Sequence, residues 1–368
     1  MLHSSLVNFP LRSFVAIIMT STKAALRDQP AIFLMMLLRL SVISRLVLFV
    51  SLAVPLYSQQ SAAWRDPSRH RAQFVWADKN VRLEVLDWGG SGKSLVLLAG
   101  GGDTAHVFDD FAPKLTHSFH VYGITRRGFG ESGFSPEGYG ADRLGDDVLA
   151  VLDALKLSRL VLAGHSIAGE ELSSVANRRP ERVAGLVYLD AAYPYAFENG
   201  RGPTMKQIQE ISGPQPPPPN ESDLASFRAL QQYYLRVLGF TYPEGELRQQ
   251  WNSDPDGKVA KHRDFPGYAT IMSGTKKYAA IPVPALAIFA IPHGQGKWVD
   301  NSSDPKVLEA AEAYSAALTP LTESQAKAFE NGVPTARVVR LRGAHHYVYL
   351  SNEADVLREM RTFLVGLQ

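Results

Sequence analysis

One serine in this chain stands where it could act as a nucleophile. Gly164-His165-Ser166-Ile167-Ala168-Gly169 directly follows the apolar run Leu160 to Ala163 and opens the helically spaced stretch Ala168 to Asn177. A strand that turns sharply into a helix over small residues is the context of a nucleophile elbow. The turn lifts the Ser166 hydroxyl above the sheet edge, at the positive end of the following helix. The backbone N–H of Ile167 then points at an oxyanion developing beside it. Gly164 fits two residues before the serine. Two residues after it stands Ala168 rather than glycine, with Gly169 one further on. The bland alternative is a serine that merely caps a helix; the strand–turn–helix context favours the elbow.

The elements that must hold this serine are legible around it. Phe74-Val75-Trp76 and Val81 to Trp88 read as strands, Leu95 to Ala99 as a short apolar strand, Phe108 to Leu115 as a helix, and Phe119 to Ile124 as a strand. Asp142 to Leu155 has apolar residues at helical spacing, and Val183 to Leu189 reads as a strand. After Ala191 the rhythm breaks. Residues 193–278 are rich in Pro, Gln, Tyr and Phe, include the run Pro216 to Pro219, and contain a helical stretch, Asp223 to Leu238. The alternation resumes with Ala285 to Ala290 as a strand, Pro305 to Phe329 as largely helix, Ala336 to Leu341 as a strand and Glu353 to Leu364 as a closing helix. This predicts an α/β fold: a mostly parallel sheet with helices on both faces, interrupted by an insertion.

Composition excludes several classes of function. The 368 residues are 45% apolar and 20% charged, which is ordinary for a globular chain. The formal charge of +2, with no basic stripe, gives no nucleic-acid footprint. With no cysteine, disulfides, thiolate chemistry and zinc–thiolate sites are excluded. From Ala31 to Leu56 the sequence is strongly apolar, broken only by Arg39 and Arg45. Leu46 to Leu56 has the length of a signal-peptide core, with small residues at Ser61-Ala62-Ala63, and a start at Met35 or Met36 would give a conventional leader. The competing reading is an uncleaved membrane anchor. Residues 1–63 are therefore set apart from the fold, and the expected location is exported or membrane-anchored.

From about Phe74 to Leu367 the chain resembles the α/β-hydrolase family. The resemblance rests on Leu97-Leu98-Ala99-Gly100-Gly101 after the third strand, on Arg127-Gly128-Phe129-Gly130-Glu131-Ser132 after the fourth, and on the elbow. It implies that Gly101 supplies the second oxyanion N–H beside Ile167, with Gly102 as the alternative. It implies a histidine base on the loop after the last strand, where Gly343-Ala344-His345-His346-Tyr347 stands; His346 fits the family pattern and His345 is the alternative. The family usually carries its acid after the next-to-last strand. Here that loop reads Ile291-Pro292-His293-Gly294-Gln295-Gly296, without a carboxylate. Asp190, after the preceding strand, is the preferred acid, with Asp300 or Asp304 as alternatives. The insertion at 193–278 is expected to form a helical lid between two halves of the core, 64–192 and 279–368.

The resemblance implies an esterase that uses Ser166, His346 and Asp190 on a small-molecule carboxylic ester, through an acyl-enzyme and without a cofactor. A cofactor-free perhydrolase or haloperoxidase-like activity uses the same residues, and a non-catalytic ligand-binding protein on this fold is a third reading. Other strings carry less. Gly100 to Ala105 matches G-x-G-x-x-A, but two strands precede it and the next strand leads to Thr125-Arg126 rather than an acid. Gly92-Lys93-Ser94 lacks the first glycine of a P-loop, since Asp87 stands there. His106, His120, His262 and His293 show no metal-ligand spacing, so no metal is expected.

Overall fold

The computed structural model describes residues 64–367 apart from 266 and 274–275. The chain divides into Met1–Arg65 and Asp66–Gln368. The expected leader or anchor falls outside the described residues, and the sheet with its flanking helices belongs wholly to the second unit.

The chain enters through an antiparallel pair, β1 (Arg71–Asp78) and β2 (Val81–Gly89), followed by β3 (Lys93–Leu98) and β4 (Phe119–Ile124). Two crossover units come next: α1 (Ala141–Ala154), β5 (Leu160–His165), α2 (Ala168–Arg178) and β6 (Val183–Leu189). Residues 193–278 then carry α3 (Met205–Gln209), α4 (Phe227–Leu238), α5 (Glu244–Gln250), the two-stranded β7 (Trp251–Ser253) and β8 (Val259–His262), and α6 (Gly267–Ser273). The sheet resumes with β9 (Ala285–Ala290), α7 (Lys297–Asp300), α8 (Pro305–Gly332), β10 (Ala336–Leu341), α9 (Val348–Ser351) and α10 (Glu353–Val365).

The eight-stranded sheet runs β1-β2-β4-β3-β5-β6-β9-β10. Only the pairs involving β2 are antiparallel; every other neighbour is parallel. The central strands are apolar on both faces because both faces are covered. In β5, Leu160 and Leu162 pack with Val148, Val151, Leu172 and Val175 of α1 and α2, while Val161 and Ala163 face the side of Phe108, Phe111, Val356 and Met360. Strand β9 alternates in the same way, with Ala285, Ala287 and Phe289 on one side and Leu286, Ile288 and Ala290 on the other. After β3 the chain moves to one side to make β4, then crosses to the other side to make β5. The carboxyl ends of β3 and β5 therefore flank a topological switch point, where an open α/β sheet leaves a crevice.

Several elements differ from the sequence reading. The helix expected over Phe108 to Leu115 is two short 3-10 turns, Ala105–Phe108 and Ala112–Lys114. Thr104 caps the first, accepting from the His106 N–H, and Pro113 brings no N–H to the second. The helix expected from Asp223 begins at Phe227. Ser226 caps it through the Ala229 N–H, while Asp223 closes a turn by accepting from the Asn220 N–H at 3.0 Å. The helix α8 continues past Phe329 to Gly332 with Pro320 inside it. Among the described residues, no helix is long and apolar enough to cross a membrane.

Candidate active site

Ser166 lies at the junction of β5 and α2 with φ 52°, in the left-handed region that a side chain occupies only when its surroundings hold it there. Its N–H donates to the Leu189 carbonyl at 3.2 Å, and its own carbonyl accepts from the Gly169 N–H at 2.9 Å. The glycines around it are required by contact. A Cβ on Gly164 would sit 3.0 Å from the Ala168 Cβ, so the alanine is tolerated because a glycine faces it. A Cβ on Gly169 would sit 2.0 Å from the Ala191 carbonyl oxygen, where α2 crosses the loop after β6. On Gly100 it would sit 2.6 Å from His165 Nδ1 and 3.3 Å from the Ser166 Cβ. The β3 loop thus passes directly beside the serine, with Gly101 next in the chain. Ile167 occupies the N-cap position of α2.

The Ser166 hydroxyl lies 2.8 Å from His346 Nε2, and His346 Nδ1–H donates to Asp190 Oδ2 at 2.6 Å. Residues 180 and 156 positions apart in sequence thus form one hydrogen-bonded row. Asp190 follows β6 with φ 47° and is wholly buried. Its Oδ1 accepts from the Ala290 N–H at 2.9 Å and the Tyr193 hydroxyl at 2.9 Å. Burial alone would raise its pKa. The charge and hydrogen bond of His293, with those of His346, outweigh burial and hold the carboxyl well below its usual range. His346 is carried by the loop after β10. That loop is laced to the loop after β9 by Gly343 N–H to the Pro292 carbonyl at 3.0 Å and Gly294 N–H to the Ala344 carbonyl at 2.8 Å.

The alternatives are placed elsewhere. Asp300 and Asp304 are exposed, and Asp304 caps α8 by accepting from the Lys306 N–H at 2.9 Å. His345 Nδ1 accepts from the Tyr347 N–H at 3.3 Å, and its ring packs on Phe240. Burial, with the nearby His346 charge, pushes its pKa down to about 4.

Three groups were not anticipated as parts of this site. His293 stands where the family usually has its acid, and its Nε2 lies 3.1 Å from Asp190 Oδ2 and 3.0 Å from the Tyr193 hydroxyl. Its position after β9 was the available signal. Tyr193, grouped by sequence with the aromatics of the insertion, donates to Asp190. Arg126, at the end of β4, is buried. It donates to the Ala99 carbonyl at 2.9 Å, to the Gly100 carbonyl at 3.1 Å, and bidentately to Glu171. It thereby fixes the β3 loop against α2.

Behind this loop lies a buried acid pair. Gln250 Nε2 donates to Asp103 Oδ1 at 2.9 Å and to Glu246 Oε1 at 2.8 Å. Burial pushes both pKa values up toward neutrality, and at Glu246 the neighbouring Asp103 charge adds to it. A raised acid binds more protons when folded than unfolded, so its contribution to stability falls as pH rises from the carboxylate range to about 8. The Tm of Glu246→Gln is therefore expected to fall less between pH 5 and pH 8 than that of the wild type. Equal slopes in paired thermal melts would refute protonation of the pair.

Comparison with known proteins identifies the family of the chain. The model of the Alpha/beta hydrolase family matches residues 95–359. A putative non-heme haloperoxidase of Mycobacterium phage D29 is 36% identical over 104 residues, 28% of this chain and 37% of that protein, so the chain spans well under half of that relative. A non-heme chloroperoxidase of Burkholderia pyrrocinia is 26% identical over 239 residues, 60% of this chain and 81% of that protein. The solved carboxylesterase CesB from Bacillus subtilis superposes with a TM-score of 0.50 at 18% identity, covering 82% of this chain and 93% of its own, a likeness of fold alone. The family match covers both halves of the sheet, the elbow after β5 and the histidine loop after β10, and the chain belongs to the alpha/beta hydrolase family.

Proposed function

We propose that this chain is a serine hydrolase that cleaves a small-molecule carboxylic ester through an acyl-enzyme. The observation that carries this is the row from Ser166 through His346 to the buried Asp190, at 2.8 and 2.6 Å. Ser166 Oγ attacks the ester carbonyl carbon as its proton passes to His346 Nε2. The carbonyl oxygen becomes an oxyanion, received by the N–H groups of Ile167 and Gly101. The tetrahedral adduct collapses, and the departing alkoxide takes the proton from His346. Water then attacks the acyl group by the same steps in reverse, releasing the acid and restoring Ser166. Asp190 keeps the proton of neutral His346 on Nδ1 and stabilises the imidazolium.

A cavity of about 240 Å³ adjoins His346, with Pro214, Leu238, His293, Trp298 and Tyr314 in its wall. That is below the usual range of roughly 300–1,000 Å³ for drug-sized ligands, which favours a compact substrate. Pro214 and Leu238 belong to residues 193–278, which supports a lid role for that segment. Residues 1–63 fit an export leader or a membrane anchor.

The names of the two haloperoxidase relatives favour a second reading, in which hydrogen peroxide replaces water as acyl acceptor and a peracid leaves. A fluorophosphonate probe is expected to label the wild type at Ser166, identified by peptide mass spectrometry, and to leave Ser166→Ala unlabelled. An unlabelled wild type would mean a ligand-binding protein instead. Peracid formation from acetate and peroxide separates the two enzymatic readings.

A further inference from the structure

A second cluster of histidines and carboxylates lies apart from Ser166, beside the 3-10 turn that follows the β3 loop. Asp66 and His70 come from the segment entering β1, and His106 and Asp109 from that turn. One ligand atom from each of the four lies within 4.8 Å of the others. Asp66 Oδ2 is 3.4 Å from His106 Nδ1, which is 3.2 Å from Asp109 Oδ2, while His70 Nε2 is 3.9 Å from Asp66 Oδ2. A tetrahedral ion with bonds of about 2.0–2.1 Å holds its donors about 3.4 Å apart. The observed spacings straddle that value, and 3.9 Å is too long for a hydrogen bond.

The remaining ring nitrogens are engaged in the manner of metal-binding histidines, which hand their other N–H to a carboxylate. His70 Nδ1 lies 2.7 Å from Asp109 Oδ1, which also accepts from the Trp88 indole at 3.0 Å. His106 Nε2 lies 3.4 Å from Glu84 Oε1, and the other oxygen of Glu84 accepts from the Thr125 hydroxyl at 2.8 Å. His70 Nε2 and His106 Nδ1 are thereby turned toward Asp66. The cluster is enclosed: the side chains of His70 and His106 are 7% exposed, that of Asp109 1%, and that of Asp66 23%. Gly245 of α5 faces it without a side chain; a Cβ there would sit 2.9 Å from Asp66 Oδ2 and 3.3 Å from His106 Nδ1.

We propose that Asp66, His70, His106 and Asp109 form a binding site for a divalent transition-metal ion of the zinc type. Two imidazoles and two carboxylates suit such an ion better than the all-oxygen shells of calcium or magnesium. Metal binding to imidazole and carboxylate ligands competes with their protonation and releases protons. It would tie the segment before β1 to the turn that follows the β3 loop, so its role is to brace the wall of the site rather than to enter the reaction.

The sequence spacing, Asp-x3-His and His-x2-Asp, holds half the site in each of two short segments 36 residues apart. Neither spacing is a familiar metal-ligand pattern, and the cluster revises the sequence expectation that His106 serves no metal.

The test is titration with Zn2+ of the full chain, free of any histidine tag and stripped by chelator, read by calorimetry and native mass spectrometry. Asp190, His293 and His346 also bring ligand atoms within 4.8 Å of one another, so His346→Ala is titrated in parallel. One equivalent is expected to bind at micromolar concentration or tighter in both proteins. The binding enthalpy should change with the ionisation enthalpy of the buffer, and saturation should raise Tm by roughly 5 °C. His70→Gln and Asp66→Asn should each weaken binding at least tenfold, with far-UV circular dichroism reporting their fold. Asp66→Asn, at the most exposed ligand, serves if His70→Gln does not fold. Absence of binding up to 100-fold molar excess, or binding lost in His346→Ala but retained in Asp66→Asn, overturns the proposal.

Discussion

Ser166→Ala and His346→Ala are each expected to lower kcat on a p-nitrophenyl ester by about 10⁶-fold, with the double variant no slower than either single one. The serine and the histidine perform one step together: without the base at 2.8 Å the hydroxyl remains a weak nucleophile, and without the hydroxyl the base has no proton to take. What survives both changes is the oxyanion pocket and substrate binding, worth about 10³–10⁴ over water, so KM should move little. His345→Ala should cost less than tenfold. That ring is held neutral near neutral pH by burial and accepts from the Tyr347 N–H, not from a reacting group. The check is steady-state kinetics on freshly purified variants, with an active-site titration of each to exclude carried-over wild type. Additive losses, or a His345→Ala defect as large as that of His346→Ala, would show that the row from Ser166 to Asp190 does not do the chemistry.

How far the sequence reached depended on whether a signal was local. Strands such as Ala285–Ala290 and Ala336–Leu341 were readable to the residue because the first is a continuous apolar run and the second centres on Val338-Val339, each between breakers. The serine was readable because its strand, turn and helix are contiguous. The histidine and the acid became visible through a family resemblance, since nothing local in Ala344-His345-His346 tells which ring faces Ser166. Packing decides that: the loops after β9 and β10 are tied together, turning His346 toward β5 and His345 toward Phe240. The expected helix at Phe108–Leu115 failed for a local reason, because Thr104 and Pro113 favour separate turns. Arg126, His293 and the Asp66–Asp109 cluster were missed because contacts between distant segments assemble them, such as Arg126 with Gly100 at 26 positions, Asp66 with His106 at 40 and His293 with Asp190 at 103, and periodicity carries no information over that range.

Asp190→Asn is the sharper test of the acid, and it should lower kcat by about 10⁴-fold while leaving the fold intact. The amide oxygen can still accept from Ala290 N–H and the Tyr193 hydroxyl, the two donors now held by Oδ1. The amide nitrogen then replaces Oδ2, facing His346 Nδ1 at 2.6 Å and His293 Nε2 at 3.1 Å. It is a donor where an acceptor stood. His346 Nδ1 must then accept, its proton moves to Nε2, and the ring presents a hydrogen to Ser166 where it needs a lone pair. Asp300→Asn and Asp304→Asn leave that tautomer untouched and should stay within twofold of wild type, since both side chains are exposed and Asp304 only caps α8. If instead Asp190→Asn keeps its activity while either of those variants loses it, the acid is recruited from the far loop. The wholly buried carboxylate, with hydrogen-bond partners on both its oxygens, would then serve only to anchor the turn after β6.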